Sequence, residues 1–220
     1  MTFSLVGMCR RTGMFGAAVT TSSIGVGSRC PYARAGVGAV LTQHRTDPAL
    51  GPRGLDLLEA DRSAQETVDA LVDGNPTIRW RQLAVIDGEG GTAFFHGERI
   101  ISIHNAAQGG SSCAIGNIVR NDGVPQAMVD AFEAAPDEHL AERLLRALEA
   151  GEAAGGELKQ VKSAALLVVH EHSFPLVDLR VEFDRNPLAE LRFLWEVYRP
   201  QVDLYVTRAV GPDSIPHPES

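Results

Sequence analysis

The sequence has no apolar run of about 18 residues, so no segment is predicted to cross a bilayer as a helix. Its start, residues 1–7, lacks the basic segment and long apolar stretch that mark a secretory signal peptide. Cysteine is also scarce, and Cys9, Cys30 and Cys113 show no paired spacing. Scattered thiols fit a reducing compartment better than a disulfide framework or a zinc site. We therefore expect a cytoplasmic protein with no membrane partner.

Lysine is nearly absent, since Lys159 and Lys162 are the only two in the chain. The net charge is −8, and the arginines are dispersed rather than grouped. A nucleic-acid site needs a basic stripe that displaces counterions from phosphates. The sequence therefore argues against nucleic acid as a partner.

Cofactor motifs are missing as well. The glycine-rich segments match neither the GxGxxG fingerprint nor a phosphate-binding loop with its lysine. His170 and His172 could form a two-ligand metal patch on one strand, but no third ligand has diagnostic spacing and HExxH is absent. Exposed histidines at a strand end are the better interpretation. We expect no cofactor and no bound metal.

What the sequence does contain is blocks of strands separated by pairs of helices. Two apolar runs flank a predicted hairpin turn at 10–13, and alternating glycines within 36–43 predict a close approach of backbones or layers. Ser63 and Glu66 form a capping-box pattern at the start of a helix. Helices are predicted at about 52–60, 63–74, 124–134, 137–150 and 187–198.

Strands that come in blocks disfavour a doubly wound parallel sheet, in which strands and helices alternate singly. The order predicts an α+β fold with two antiparallel sheets covered by helix pairs, a four-layer αββα sandwich. Residues 1–209 form the single domain of this prediction. Residues 210–220 are proline-rich and are predicted to remain a flexible tail.

Several strings, collinear from Thr2 to about Tyr198, resemble one bacterial family, the domain of unknown function 1028. They are TFS at 2–4, ARAGVGAV at 33–40, GPRGL at 51–55, RQL at 81–83, GN at 116–117, AAGG at 153–156 and SAAL at 163–166. The resemblance implies an N-terminal-nucleophile (Ntn) hydrolase-like fold, in agreement with the predicted sandwich. It implies no defined substrate.

Thr2 is the candidate nucleophile that this resemblance implies, because Ntn hydrolases use the first residue of the mature chain. A threonine hydroxyl needs a base within hydrogen-bond reach. A free α-amino group titrates near ~7.7–8.0 and can take that proton, directly or through water. Threonine is small enough for an aminopeptidase to remove Met1 and expose the amine. The alternative is that Thr2 only begins a strand as a β-branched residue.

Four further residues are predicted to support Thr2. Asn117 is a candidate donor to the developing oxyanion, or else a turn residue. Related folds place a basic residue beside the nucleophile, so Arg34 is a candidate for that position, or else a surface arginine. Arg81 and Gln82 lie at the head of a strand and are predicted to line the substrate cleft.

Gly155, Gly156 and Glu157 are predicted to form a substrate-binding loop, and here the sequence departs from the family. The family usually has Gly-Gly-Asp, then Arg-Gly, then Gln-Ser-Ala-Ala. The replacements in this chain are Glu157, Lys159, Gln160 and Lys162. If the loop builds the site, the departure implies altered specificity or lost catalysis.

Two functions of different classes follow from these residues. The first is an Ntn-type amidohydrolase that cleaves a small amide or peptide-like bond, with Thr2 at the floor of a cleft. The second is a non-catalytic binding or assembly protein that keeps the scaffold, with Met1 retained or the cleft filled. Because Ntn folds often associate, a homodimer is the expected assembly.

Overall fold

The computed structural model describes residues 1–215, which form ten strands and six α-helices. The strands are β1 Thr2–Cys9, β2 Met14–Thr21, β3 Pro31–Arg34, β4 Gly38–Gln43, β5 Gln82–Ile86, β6 Thr92–His96, β7 His104–Gln108, β8 Ser112–Asn117, β9 Ser163–Val169 and β10 Val177–Val181. The helices are α1 Leu50–Glu59, α2 Ala64–Val72, α3 Val124–Glu133, α4 Leu140–Ala153, α5 Pro187–Tyr198 and α6 Val202–Val210.

Six strands form the larger antiparallel sheet, in the order β10-β9-β2-β1-β8-β7. The central strands β1 and β2 form a hairpin across the turn at 10–13, as predicted. β1 also pairs with β8, which places Thr2 opposite Asn117. β2 pairs with β9, which places Thr21 opposite Ser163. The start of β1 and the ends of β2 and β8 therefore lie at one end of this sheet.

The smaller antiparallel sheet contains four strands, in the order β3-β4-β5-β6. Gln43 at the end of β4 lies opposite Gln82 at the start of β5. Gln82 in turn lies opposite His96, which ends β6. These three strand ends carry polar side chains and meet at one end of the smaller sheet.

The two sheets pack face to face through an apolar layer that includes Val6, Phe15, Leu41, Ile86 and Ile115. Helices α3, α4 and α5 cover the outer face of the larger sheet, and α1 and α2 cover that of the smaller sheet. Burying an apolar side chain of this size stabilises the fold by about 1.5–3 kcal/mol. The layers confirm the predicted α+β fold, a four-layer αββα sandwich. One outer layer contains α5 in addition to the predicted helix pair.

The glycines of residues 36–43 confirm the predicted close approach. Gly38 has a φ of +145°, and a Cβ built on it would lie 2.2 Å from the backbone oxygen of Ile86. Only a residue without a Cβ fits there. Gly36 has a φ of +70° in the preceding turn, but a Cβ built on it would meet no atom within 4 Å.

Local signals at two helix starts are also confirmed. The Ser63 hydroxyl accepts from the Glu66 N–H at 3.3 Å, and the Glu66 carboxylate accepts from the Ser63 N–H at 2.9 Å. This reciprocal pair is the capping box of α2. Pro187 begins α5 after Asn186, in the first-turn position that suits proline's missing N–H.

Three elements differ from the predictions. β3 and β7 are edge strands, and they were not predicted because their residues do not alternate clearly between apolar and polar. Pro200 suggests the end of the helical region, but it lies in a 3-10 turn, Arg199–Gln201, after which α6 continues to Val210. The helical part therefore ends one residue beyond the predicted domain boundary at 209.

The predicted tail is described only in part. Residues 211–215 contain a short 3-10 turn, Pro212–Ser214, and residues 216–220 lie outside the described part of the chain. Among residues 1–215, none of the helices combines the length and the apolar character needed to cross a membrane.

Candidate functional site

The layer between the two sheets changes from apolar to polar at one end of the sandwich. Five strands contribute apolar side chains to this layer. At this end of the sandwich, the terminal residue of each is polar: Thr2, Thr21, Gln43, Gln82 and Asn117. Each of these five residues is at most 6% exposed. Burying polar groups costs stability unless they are hydrogen-bonded, so their concentration at one end marks this region as a candidate site.

Amide side chains connect the two sheets at this end. Gln43 Oε1 accepts from the Ser4 hydroxyl at 2.7 Å, and Gln43 Nε2 donates to Gln82 Oε1 at 2.6 Å. Asn117 Nδ2 donates to the same Gln82 oxygen at 2.9 Å, and Gln82 Nε2 donates to the Gly116 carbonyl at 2.9 Å. The network holds the strand ends of both sheets in a fixed relative position.

His96 accepts a hydrogen bond at the edge of this network. Gln82 Nε2 lies 2.9 Å from His96 Nδ1, and the ring of His104 lies 5.1 Å from that of His96. Burial, with a smaller effect of His104, lowers the pKa of His96 to about 4. The imidazole is therefore neutral near pH 7, with Nδ1 as the acceptor. This makes His96 a fixed acceptor rather than a proton carrier.

Thr2 lies in the wall of a cavity of about 220 Å³ at the polar end, together with Met1, Thr21 and Cys30. The Thr2 and Thr21 hydroxyl oxygens are 3.4 Å apart, and both hydroxyls donate to the Met1 carbonyl oxygen. Burial lowers the pKa of the Met1 α-amino group. A candidate nucleophile, a second hydroxyl and an amine thus share one small space.

Glu157 is a buried carboxylate beside the amino terminus. It is 4% exposed, and its two oxygens accept from the Ser22 N–H at 3.1 and 3.2 Å. Helix α4 ends shortly before it, and Gly155 and Gly156 have φ values of +128° and +58°. Glycine adopts this left-handed backbone readily, which allows the sharp turn that directs Glu157 back towards β2.

The Glu157 carboxyl and the Met1 α-amine influence each other's pKa. Burial raises the pKa of the Glu157 carboxyl to about 7, and the Ser22 hydrogen bond and the amino terminus oppose the rise. Burial lowers the pKa of the Met1 amine, and Glu157 opposes that change. Both shifts favour the neutral form of the group concerned. Groups with strongly shifted pKa values are common at functional sites.

The free energy of unfolding of Glu157→Gln, relative to that of the wild type, is expected to increase as the pH rises. The folded pKa of about 7 lies above the unfolded value of about 4.3, so the folded chain holds this proton more tightly. As the pH rises between these two pKa values, the wild type loses stability because its folded state must give up the proton. Glutamine does not titrate, so the variant does not lose this stability. Urea denaturation of both proteins should show a free-energy difference that grows from about pH 4.5 to pH 7 and is constant above it. A pH-independent difference would contradict the raised pKa.

A family model described as "Family of unknown function (DUF1028)" matches residues 2–191. The chain belongs to this family. A solved DUF1028 structure from Silicibacter pomeroyi has 30% sequence identity and a TM-score of 0.83, and the match covers 90% of this chain and 85% of that one. The family resemblance carried by the short sequence strings is confirmed.

Other comparisons add little to the DUF1028 assignment. The Anbu protein (ancestral beta-subunit) from Yersinia bercovieri is similar at 12% identity and a TM-score of 0.37, over 93% of this chain and 97% of its own. That score is too low to support conclusions about fold or site. Among curated proteins no match was found. Helix α6 lies beyond residue 191 and thus outside the DUF1028 match.

Of the residues predicted to form the candidate site of this chain, the structure brings four to the polar end: Thr2, Gln82, Asn117 and Glu157. Gln82 and Asn117 belong to the buried network and do not line the 220 Å³ cavity. Gly155 and Gly156 shape the turn before Glu157. All three residues of that loop line a second cavity of about 200 Å³.

Arg34 and Arg81 lie elsewhere. Ala33 packs towards the layer between the sheets, so the next side chain along β3 points to the outer face. There the Arg34 guanidinium pairs with Asp56 at 2.9 Å and Glu59 at 2.7 Å on α1. Arg81 reaches the Thr77 hydroxyl at 3.4 Å. Neither arginine lines the cavity beside Thr2, where the family resemblance placed Arg34.

Several contributors to the site were not predicted, among them Thr21, Ser22, Cys30 and Gln43. Thr21 and Gln43 share a signal that the sequence does contain. Each is the polar last residue of a strand, β2 or β4, whose other inward-facing residues are apolar. Ser22 and Cys30 carry no comparable signal, because only the folded chain brings them to the amino terminus.

His170 and His172 follow β9 at its other end and line a different cavity of about 510 Å³ with Trp195. His170 Nε2 lies 2.8 Å from the Thr12 carbonyl oxygen. Within residues 1–215, no three His, Cys, Asp or Glu side chains are grouped closely enough to hold a metal ion.

Proposed function

We propose that the protein is an Ntn-type hydrolase that cleaves a small amide or peptide-like bond, with Thr2 as nucleophile after removal of Met1. The position of Thr2 carries the proposal. The residue begins the central strand of the larger sheet, is 6% exposed and lines a cavity beside the amino terminus. After removal of Met1, the nucleophile and its base would belong to one residue in the wall of this cavity.

Removal of Met1 frees the α-amine of Thr2, whose neutral form accepts the proton of the Thr2 hydroxyl, directly or through one water. Oγ1 attacks the amide carbonyl carbon and forms the new C–O bond. The C–N bond breaks as the ammonium returns the proton to the leaving nitrogen. Water then hydrolyses the ester by the reverse proton transfers, which releases the acid and restores Thr2.

Burial supports the proton transfer, because it lowers the pKa of the amino terminus and increases its neutral fraction at pH 7. The Thr2 amine would lie one residue further into the same wall, so we expect a shift in the same direction. Asn117 lies opposite Thr2, and its Nδ2 has a second hydrogen besides the one donated to Gln82. Asn117 does not line the cavity while Met1 is present, so this hydrogen becomes the candidate oxyanion donor once the loss of Met1 extends the cavity to it.

Met1 must be removed before Thr2 can act as proposed. It lines the cavity, and its carbonyl oxygen accepts from both threonine hydroxyls. Its loss would free these hydroxyls and enlarge the cavity. We therefore expect protein isolated from its own host to lack Met1, as intact mass spectrometry can establish.

The activity test uses a panel of small amides and peptide-like substrates with mass-verified protein that begins at Thr2. The matched control is the same chain carrying an uncleaved N-terminal tag, which blocks the amine. Turnover by the first sample alone supports the proposal. Met1 retained in protein from the host, with no turnover by either sample, would instead favour a binding or assembly protein on this scaffold.

A further inference from the structure

The cavity beside Thr2 has an unusual charge for this protein. The chain carries a net charge of −8, yet the cavity lining contains two guanidinium groups, Arg29 and Arg45, and no carboxylate. We infer that this cavity takes an anionic group, so that the substrate is a small amide bearing a carboxylate close to the bond that is cleaved. This inference rests on the proposed hydrolase function and names its substrate class.

Neither arginine forms a salt bridge within 4.0 Å with a carboxylate among residues 1–215, although other arginines are paired. Arg29, which lines the cavity, donates from Nη1 to the backbone oxygens of Ile24 and Gly25, and these bonds fix the direction of its side chain. The Arg45 guanidinium carbon lies 4.0 Å from the centre of the Trp80 ring. Stacking of this kind holds the planar group while leaving its N–H donors free for an anion.

The other cavities differ from this one in charge. The described residues form three more cavities. Each is lined by two or more carboxylates, such as Glu171 and Asp203 in the 510 Å³ cavity. Glu157 lies near the amino terminus but does not line the Thr2 cavity. Its raised pKa also reduces its negative charge. The field at the mouth of the Thr2 cavity therefore favours an anion.

The size of the cavity limits the ligand. With Met1 in place its volume is about 220 Å³, below the roughly 300–1,000 Å³ of sites for drug-sized molecules, and loss of Met1 adds only the space of one side chain and its backbone. A short dicarboxylic monoamide, with one carboxyl free and the other in the scissile amide, combines the required charge and size. Guanidinium groups bind such a carboxylate through paired, charge-assisted hydrogen bonds.

The test compares hydrolysis of succinyl and glutaryl p-nitroanilides with that of their uncharged methyl esters, using protein that begins at Thr2. We expect kcat/KM to favour the free carboxylates by about tenfold or more. Arg45→Gln should raise KM for the carboxylates by about tenfold and so reduce or abolish their advantage over the esters. Arg208→Gln is the matched control, because Arg208 is also an exposed arginine near an aromatic ring, Tyr205, but lies on α6.

A second measurement does not depend on catalysis. NMR titration of the same protein with glutarate and with glutaramide should show binding of the dianion alone, weakened by Arg45→Gln and by salt. If glutarate binds in this way but no amide is cleaved, the charge inference stands and the hydrolase proposal fails. If amides are cleaved without preference for the carboxylate, the hydrolase stands and the charge inference is overturned. Absence of both charge preference and glutarate binding also overturns it.

Discussion

Thr2→Ala is expected to reduce kcat/KM for amide hydrolysis by at least ~10³-fold, because the substitution removes the atom that forms the bond to the substrate. Thr21 cannot replace it. Its hydroxyl lies 3.4 Å from that of Thr2, but Thr21 has no free amine of its own to accept the proton. The measurement is steady-state kinetics on a substrate found in the amide panel, with each sample's mass verified.

Thr2→Ser is the matched control, since serine keeps both a hydroxyl and an α-amine and should retain measurable activity. Serine and alanine are both small enough for Met1 to be removed, so the two variants differ in chemistry rather than in processing. Loss of the threonine methyl and hydroxyl should cost only about 1 kcal/mol of stability, which urea denaturation can check. An unchanged rate in a folded, Met-free Thr2→Ala protein would exclude Thr2 as nucleophile.

Much of the fold could be predicted because its signals are local. The turn at 10–13, the capping box at Ser63 and the proline that begins α5 each depend on a few neighbouring residues. The elements that were missed depend on distant contacts. β7 is held by pairing with β8 rather than by an apolar pattern of its own, and α6 resumes after a proline that locally suggests an end.

The candidate site was less predictable for the same reason. Thr2, Gln82, Asn117 and Glu157 were all singled out, but the sequence could not show that Gln82 and Asn117 share a buried network while Glu157 lies at the amino terminus. Arg34 shows the opposite difficulty. Its side-chain direction alternates with that of Ala33, so strand geometry directs it to α1 and away from the cavity.

Gly38→Ala is expected to be the most damaging single-methyl change in the smaller sheet. The new Cβ would lie 2.2 Å from the backbone oxygen of Ile86, and that oxygen belongs to the paired strand β5 and cannot rotate away. The φ of +145° adds backbone strain for any residue other than glycine. Together these should cost about 3 kcal/mol or more, equivalent to about 6–12 °C in Tm for a chain of this size.

Gly36→Ala separates the two causes. Gly36 also has a positive φ, +70°, but a Cβ there would meet nothing within 4 Å. Its substitution should therefore cost only the backbone strain, about 1–2 kcal/mol. The difference in Tm between the two variants measures how closely β4 and β5 must approach each other. The same two strands carry Gln43 and Gln82 at the polar end. Equal losses of Tm would mean that β4 can shift to accept the methyl group. The close packing of β4 against β5 would then not determine the position of the amide network.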